Sequence, residues 1–187
     1  MAASYDVPKR IGTKDYIALC FKEMLKTRPF DSISVLELAE VCQLSRTSFY
    51  RHFSDKYAVL AWIFKMQLDE IDIEAGGFSS RNLKILKLMA ENKKYFRNIF
   101  QNDKENWLAD HIYQRGCTYF ESLMKAGMGV DELPDEIMAS IHFFNAGANH
   151  LWKLWLASGA KEPPELINEW AIQNMPKVLR QFTDCRE

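Results

Sequence analysis

An all-α fold is what this chain of 187 residues predicts, and three observations carry that expectation. Apolar side chains recur three and four apart from Ile17 to Phe182, and no stretch of useful length alternates apolar with polar as a strand does. The breaks between the periodic stretches hold Arg28-Pro29, Gly76-Gly77 and the run Gly127 to Pro134. Two short helical patterns separated by a tight break, within Ser34–Lys56, stand at the centre of the N-terminal part.

Residues 1–10 lack periodicity and read as a mobile arm carrying Lys9 and Arg10. The first helix spans about Thr13 to Thr27, with Ile17, Cys20, Phe21, Met24 and Leu25 on one stripe. Arg28-Pro29 ends it, because proline disfavours helix in the residue before it. Phe30 and Ile33 then close a small core. Ser34 caps the next helix, and Glu37 three residues on completes a capping box. Val35, Leu38, Ala39 and Cys42 form its apolar face. Gln43-Leu44 interrupts the pattern, and Ser45 opens a helix that runs to Phe53.

On that helix Phe49 and Phe53 lie about 40° apart and point inward. Thr47, Ser48 and Arg51 project the other way, flanked by Arg46, Tyr50 and His52. Hydroxyls, a phenol and guanidinium groups are poor core material but suit phosphate oxygens and the acceptors of the DNA major groove. An ordinary solvated face is the competing reading.

The string Ile33-Ser34, Leu38-Ala39, Leu44-Ser45, Phe49-Tyr50, His52-Phe53 and Lys56 resembles the helix-turn-helix of the TetR family of transcriptional regulators. The likeness covers residues 10–60. It implies a three-helix DNA-binding domain over 1–58 and a larger helical domain for ligand binding and dimerisation over 59–187, about nine helices in all. The family usually carries glycine in the turn where this chain has Gln43. If that residue is left-handed, glutamine costs about 1 kcal/mol more than glycine. The resemblance further implies Arg46, Thr47 and Arg51 near base edges, with Ser34, Ser45, Ser48, Tyr50, His52 and Lys56 supporting them, chiefly at phosphates.

A fourth helix, capped by Ser54, carries Tyr57, Leu60, Ala61, Phe64, Leu68 and Ile71. It is longer than the head needs, so it links the head to the rest. Helices follow at about Ser80–Glu91, Asn92–Gln101 and Lys104–Ala126. A long helix from Asp135 to Ser158 is ended by Gly159, and Ile137, Ile141, Phe144, Ala148, Leu151 and Trp155 form a heptad-like seam on it. The last helical pattern starts at Pro163-Pro164 and carries Trp170 and Leu179, with a break expected at Pro176.

In the family the last two long helices of each subunit make a four-helix bundle across a two-fold axis. That seam, with Trp170 and Leu179, is therefore the expected homodimer surface, and a palindromic operator the expected DNA target. The family's second domain also encloses a small-molecule effector. The expected lining is Trp62, Phe96, Trp107, His111, Tyr113, Phe143, Asn145, His150 and Trp152, though most such residues serve as core. Phe143-x-x-x-Gly147, Trp155-Leu156 and Gly159 resemble a branch that includes regulators of dihydroxyacetone-kinase operons.

Composition agrees without deciding. Nine basic and seven acidic side chains leave residues 1–60 at +2, while the remainder carries −3, a weak asymmetry in favour of a DNA-facing head. Cys20, Cys42, Cys117 and Cys185 are far apart and form no CxxC pair, and Cys20 and Cys42, on apolar helical faces, read as reduced core residues. His111, His142 and His150 have no metal-ligand spacing with a carboxylate, so neither metal nor cofactor is expected. No signal-like segment and no 18-residue apolar run occurs, which predicts a cytoplasmic protein without membrane contact. A catalytic triad, a phosphate loop and paired carboxylates are missing from the sequence, so no enzyme is expected. The expected function is a ligand-responsive repressor; the alternative is an interaction module, or an accessory DNA-binding factor without a ligand, that kept the fold.

Overall fold

A computed structural model describes residues 12–74 and 77–183. The expectations for Lys9, Arg10, Gly76 and Cys185 lie outside them. The described residues form ten α-helices, one 3-10 turn at Phe30–Ser32 and no strand: α1 Thr13–Leu25, α2 Val35–Val41, α3 Arg46–Tyr50, α4 Lys56–Glu74, α5 Phe78–Glu91, α6 Lys93–Asn102, α7 Trp107–Met128, α8 Asp135–Ala157, α9 Pro164–Gln173 and α10 Lys177–Arg180. One helix more than expected appears because Pro176 separates α9 from α10.

The local signals are read out at each junction. Ser34 Oγ accepts from the Glu37 amide (3.2 Å) and Glu37 Oε2 accepts from the Ser34 amide (2.9 Å), a complete capping box. Arg28 donates to Glu37 Oε1 at 3.0 Å, tying the end of α1 to the start of α2. The Ser34 hydrogen bonds, backbone and side chain, with Arg28 behind them, hold the Glu37 carboxyl down at about 2. At the head of α4 the cap is Asp55 rather than Ser54. Its carboxylate accepts from the Ala58 amide at 2.8 Å, while Ser54 merely donates to that carboxylate (3.2 Å).

The largest cluster of buried residues crosses the expected boundary at 58/59. It joins Phe21, Phe49 and Phe53 of the head to Leu60 and Phe64 of α4, Phe96 of α6 and Trp155 of α8. A second cluster, among them Phe120, Ile141, Phe144 and Leu179, sits at the far end between α7, α8 and α10. There Gly116 lets α7 and α8 approach: a Cβ on it would come within 2.1 Å of Asn145 Oδ1.

The expected seam on α8 is turned inward. Ile141, Phe144, Trp155 and Leu179 are buried in the subunit's own core, and Ile137 is half-buried against the second cluster. The outward stripe is offset on the same helix, through Phe143 (83% exposed), Gly147, His150 and Leu154 (55% exposed). Both stripes are apolar at helical period, and α7 covers the first because its own apolar face meets it there. Among the described residues no helix is long and apolar enough to cross a membrane.

Candidate nucleic-acid interface and interior cavity

α3 is short because its flanks do separate work. Ser45 caps it by accepting from the Ser48 amide (3.1 Å) and donating to the Ser48 hydroxyl (2.9 Å). Phe49 and Phe53 are buried beneath, 6.2 Å apart between ring centres, so the helix is fastened by its underside. Arg46, Thr47, Tyr50 and Arg51 are exposed on top, and the Arg46 guanidinium lies over the Tyr50 ring at 5.6 Å. Ser48 and His52 are half-buried at the edge. The turn before α3 holds Gln43 at φ 57°, in the left-handed region. The hydroxyls of Ser34, Ser45 and Ser48 are thus engaged in helix caps, and the freest polar surface is that of Arg46, Thr47, Tyr50 and Arg51.

Lys56 is drawn toward its own chain. Its ammonium donates to the carbonyls of Phe30 (3.0 Å) and Ile33 (3.3 Å) and sits 4.3 Å from the Phe30 ring centre. Partial burial lowers its pKa, against the pull of Asp31 and Asp103. Two of an ammonium's three donors are used in this way.

The second feature lies between α4, α5, α6, α7 and α8. A cavity of about 60 Å³ has apolar walls that include Phe64, Leu68, Ile85 and Phe96, and a polar row of Asn145, Asn149 and Trp152 along α8. Arg81, Arg115 and Tyr119 are shared between this cavity and an open groove on the surface. The Arg81 guanidinium lies over the Tyr119 ring at 4.8 Å, and Arg115 stands 3.8 Å from Asp69.

Of the nine residues expected to line such a space, Phe96, Asn145 and Trp152 do so. The others have different employment. Trp62 donates to Asp15 (2.9 Å) and packs on Phe53, joining α4 to the head. Trp107 and His111 stack on each other at 4.7 Å. The Tyr113 hydroxyl and His142 Nδ1 are 2.7 Å apart, outside the cavity. Phe143 points outward, toward a groove it shares with Gly147, Leu151 and Trp170, and His150 is exposed. Ala148 and Leu151 line that groove as well. Aromatic residues on periodic helices carry no mark of which interior space they face, so these six placements needed the fold.

Trp107 and His111 are instead links in a chain of rings between the head and the cavity. Phe30 lies 5.2 Å from Tyr57, Tyr57 lies 6.0 Å from Trp107, and His111 lies 6.4 Å from Phe64 on the cavity wall. Burial, with Arg115 nearby, lowers the His111 pKa. A second tie escaped the sequence reading altogether. Asn98 on α6 accepts from the Phe30 amide (3.1 Å) and donates to the carbonyls of Leu25 and Arg28. Its partners are backbone groups some seventy positions away, which no local pattern announces.

Residues 80–177, more than half of the chain, match a family described as transcriptional regulator C-terminal region, and residues 22–62 match bacterial regulatory proteins, tetR family. The HTH-type dhaKLM operon transcriptional activator DhaS of Lactococcus lactis subsp. lactis (strain IL1403) is 28% identical over 102 residues. That match spans 53% of this chain and only 54% of the relative. Solved structures with the same fold include the dihydroxyacetone kinase operon activator DhaS, with a TM-score of 0.65 and 20% identity over 92% of this chain and 97% of that one. The fatty acid degradation regulator FadR from Bacillus halodurans gives 0.58 and 13%, with coverage of 92% and 97%. A tetR-family transcriptional regulator from Streptomyces coelicolor gives 0.56 and 15%, with coverage of 92% and 90%. A helix-turn-helix with a fastened underside and a polar crown, followed by a helical C-terminal region, belongs to a DNA-binding transcriptional regulator: this chain is a member of the TetR family.

Proposed function

We propose that the protein is a homodimeric, ligand-responsive regulator in which residues 1–58 read one half of a palindromic operator and residues 59–187 bind effector and partner subunit. One observation carries the reading: the exposed crown of Arg46, Thr47, Tyr50 and Arg51 above the buried Phe49 and Phe53. α3 enters the major groove with Arg46, Thr47 and Arg51 at base edges. Tyr50, His52 and the remaining donor of Lys56 meet phosphates, and the capped serines Ser34, Ser45 and Ser48 hold the helix ends in register. It works in the cytoplasm, where the operator is. A gel shift with the protein's own promoter region tests this. Specific binding weakens as salt rises, because neutralised phosphates release counterions. Arg51→Ala lowers affinity and relaxes site preference; unchanged affinity and preference would remove α3 from the reading role.

The outward stripe of α8 supports the dimer. Phe143, Gly147 and Leu154 leave apolar surface uncovered beside Trp170 of α9. Small Gly147 in the middle of the stripe permits close approach of a second α8. A two-fold axis there gives two heads, which are needed to span half-sites roughly 34–36 Å apart or a multiple of that. Phe143→Asp yields a folded monomer by light scattering; a dimer that persists would move the interface elsewhere.

Effector in the cavity shifts the population between head spacings that fit and do not fit the operator. The ring chain from Phe64 to Phe30 and the Asn98 tie couple the cavity wall to the head. Repression is the first reading of sign. The second, activation, is favoured by the printed description of the DhaS relative as an activator. A reporter behind the native promoter, with the chromosomal copy deleted, separates the two by whether output rises or falls.

A further inference from the structure

On the α8 side of the cavity wall, two buried polar atoms have no hydrogen-bond partner among the described residues. Trp152 is 7% exposed, and its Nε1–H meets no acceptor. Asn149 Oδ1 meets no donor, although Nδ2 of the same side chain donates to Ala109 O at 2.6 Å. An indole N–H can only donate and an amide oxygen can only accept. The two residues stand three apart on α8, so both belong to one helical face. A buried polar atom left unmet has lost its water and gained nothing in return, so each one favours an occupant that meets it.

We infer that the effector is a short, neutral, hydroxyl-bearing compound, a hydroxyketone or diol, whose oxygens accept from Trp152 and donate to Asn149. This rests on the cavity being the effector site. One hydroxyl, or a hydroxyl beside a carbonyl, supplies the acceptor lone pair and the donor proton together. Water can serve both atoms too, but a carbon chain also covers the apolar wall at Phe64, Leu68, Ile85 and Phe96. Charge is unevenly placed around the cavity. The α8 row that carries the two unmet atoms is neutral, which suits a neutral oxygen compound there, whereas Arg81 and Arg115, shared by cavity and groove, stand over Tyr119 and 3.8 Å from Asp69. Size limits the rest. A dry cavity of about 150 Å³ holds the six carbons of benzene, so this space of about 60 Å³ takes on the order of two to three heavy atoms as it stands, and a compound of about five only as its walls yield.

Three isosteric probes test the inference on the full-length protein: hydroxyacetone, butanone (no hydroxyl proton) and glycolate (an anion). The readout is the set of tryptophan indole N–H resonances, with Trp152 assigned by its loss in Trp152→Phe. Hydroxyacetone is expected to shift the Trp152 resonance saturably. Butanone and glycolate bind roughly tenfold or more weakly, and Trp152→Phe, whose melting temperature stays near wild type, weakens hydroxyacetone by roughly tenfold. Equal binding of butanone, tighter binding of glycolate, or no movement with any probe overturns the inference. Operator affinity is measured alongside. Hydroxyacetone binding that leaves operator affinity unchanged overturns the effector role while the ligand chemistry stands. A response to glycolate or butanone in its place overturns the chemistry and keeps the role.

Discussion

The head and the body of this protein are finished to different degrees. In the head, α1 to α3, the starts of α2 and α3 are closed by side chains from the same few residues: Ser34 with Glu37, and Ser45 with Ser48. Its core is solid, with Phe21, Phe30, Phe49 and Leu38 fully buried. The head has one loose end, Asp31 Oδ2, with only the Lys104 ammonium 3.7 Å away; in the body, among the described residues, buried Gln67 Oε1, Tyr95 Oη, Asn149 Oδ1 and Trp152 Nε1 have no hydrogen-bond partner, and one face of α8 shows bare phenylalanine. The difference teaches where conformational freedom resides. A reading surface has to be presented rigidly, whereas a regulatory body keeps sites that are completed only by something else.

The sharpest way to break this contrast is to open the head's core. Phe49→Ala removes a fully buried ring and should cost about 3–5 kcal/mol, seen as a large drop in melting temperature with loss of DNA binding. A change under 1 kcal/mol would mean the head is no more solid than the body. Next comes the tie between the two. Asn98→Ala strands the Phe30 amide and the Leu25 and Arg28 carbonyls, and should cost about 1–3 kcal/mol in a denaturant titration while lowering operator affinity. Inside the body, Gly116→Ala pushes a methyl against Asn145 Oδ1. A loss of about 1–3 kcal/mol is expected, and any DNA effect should be indirect.

The smaller effects belong to the head's local chemistry. Gln43→Gly at φ 57° should add about 1 kcal/mol by relieving a left-handed side-chain residue, measured by thermal melting. The capping box gives a pH signature. Glu37 is held at about 2 in the folded protein, below an unfolded carboxyl near 4.5. Its contribution is therefore present above the unfolded value and fades as pH falls from about 4.5 toward 2. Glu37→Gln should flatten that part of a melting-temperature-against-pH curve. A parallel curve would assign the acid sensitivity to other carboxylates.

How much of this was legible in the sequence follows the same division. The head could be read almost residue by residue, because its signals are local: a capping box, a stripe, two phenylalanines four apart. Even its departure at Gln43 has the left-handed backbone that a family glycine implies. The body's helices were legible from their period, and Pro176 from its missing donor. Their facing was not. α8 carries two apolar stripes, and nothing in the spacing of Ile141 and Phe144 against Phe143 and Leu154 says which one α7 will cover. The cavity wall was half legible for a related reason. Phe96, Asn145 and Trp152 stood out by residue type, whereas Asn149, Arg81 and Arg115 look like any polar residues on a helix until three helices converge on them.

The stacked pair of Trp107 and His111 has a practical consequence. An indole lying flat against an imidazole at 4.7 Å is an optical gauge installed at the joint between head and body. A protonated ring beside it quenches indole emission. Because the His111 pKa is lowered, that dimming begins only on the acid side of an ordinary histidine titration. Any movement that parts the two rings abolishes it. The share of the emission that Trp107 contributes among the five tryptophans, isolated by difference against Trp107→Phe, can thus follow the joint in real time, without a dye and without DNA present.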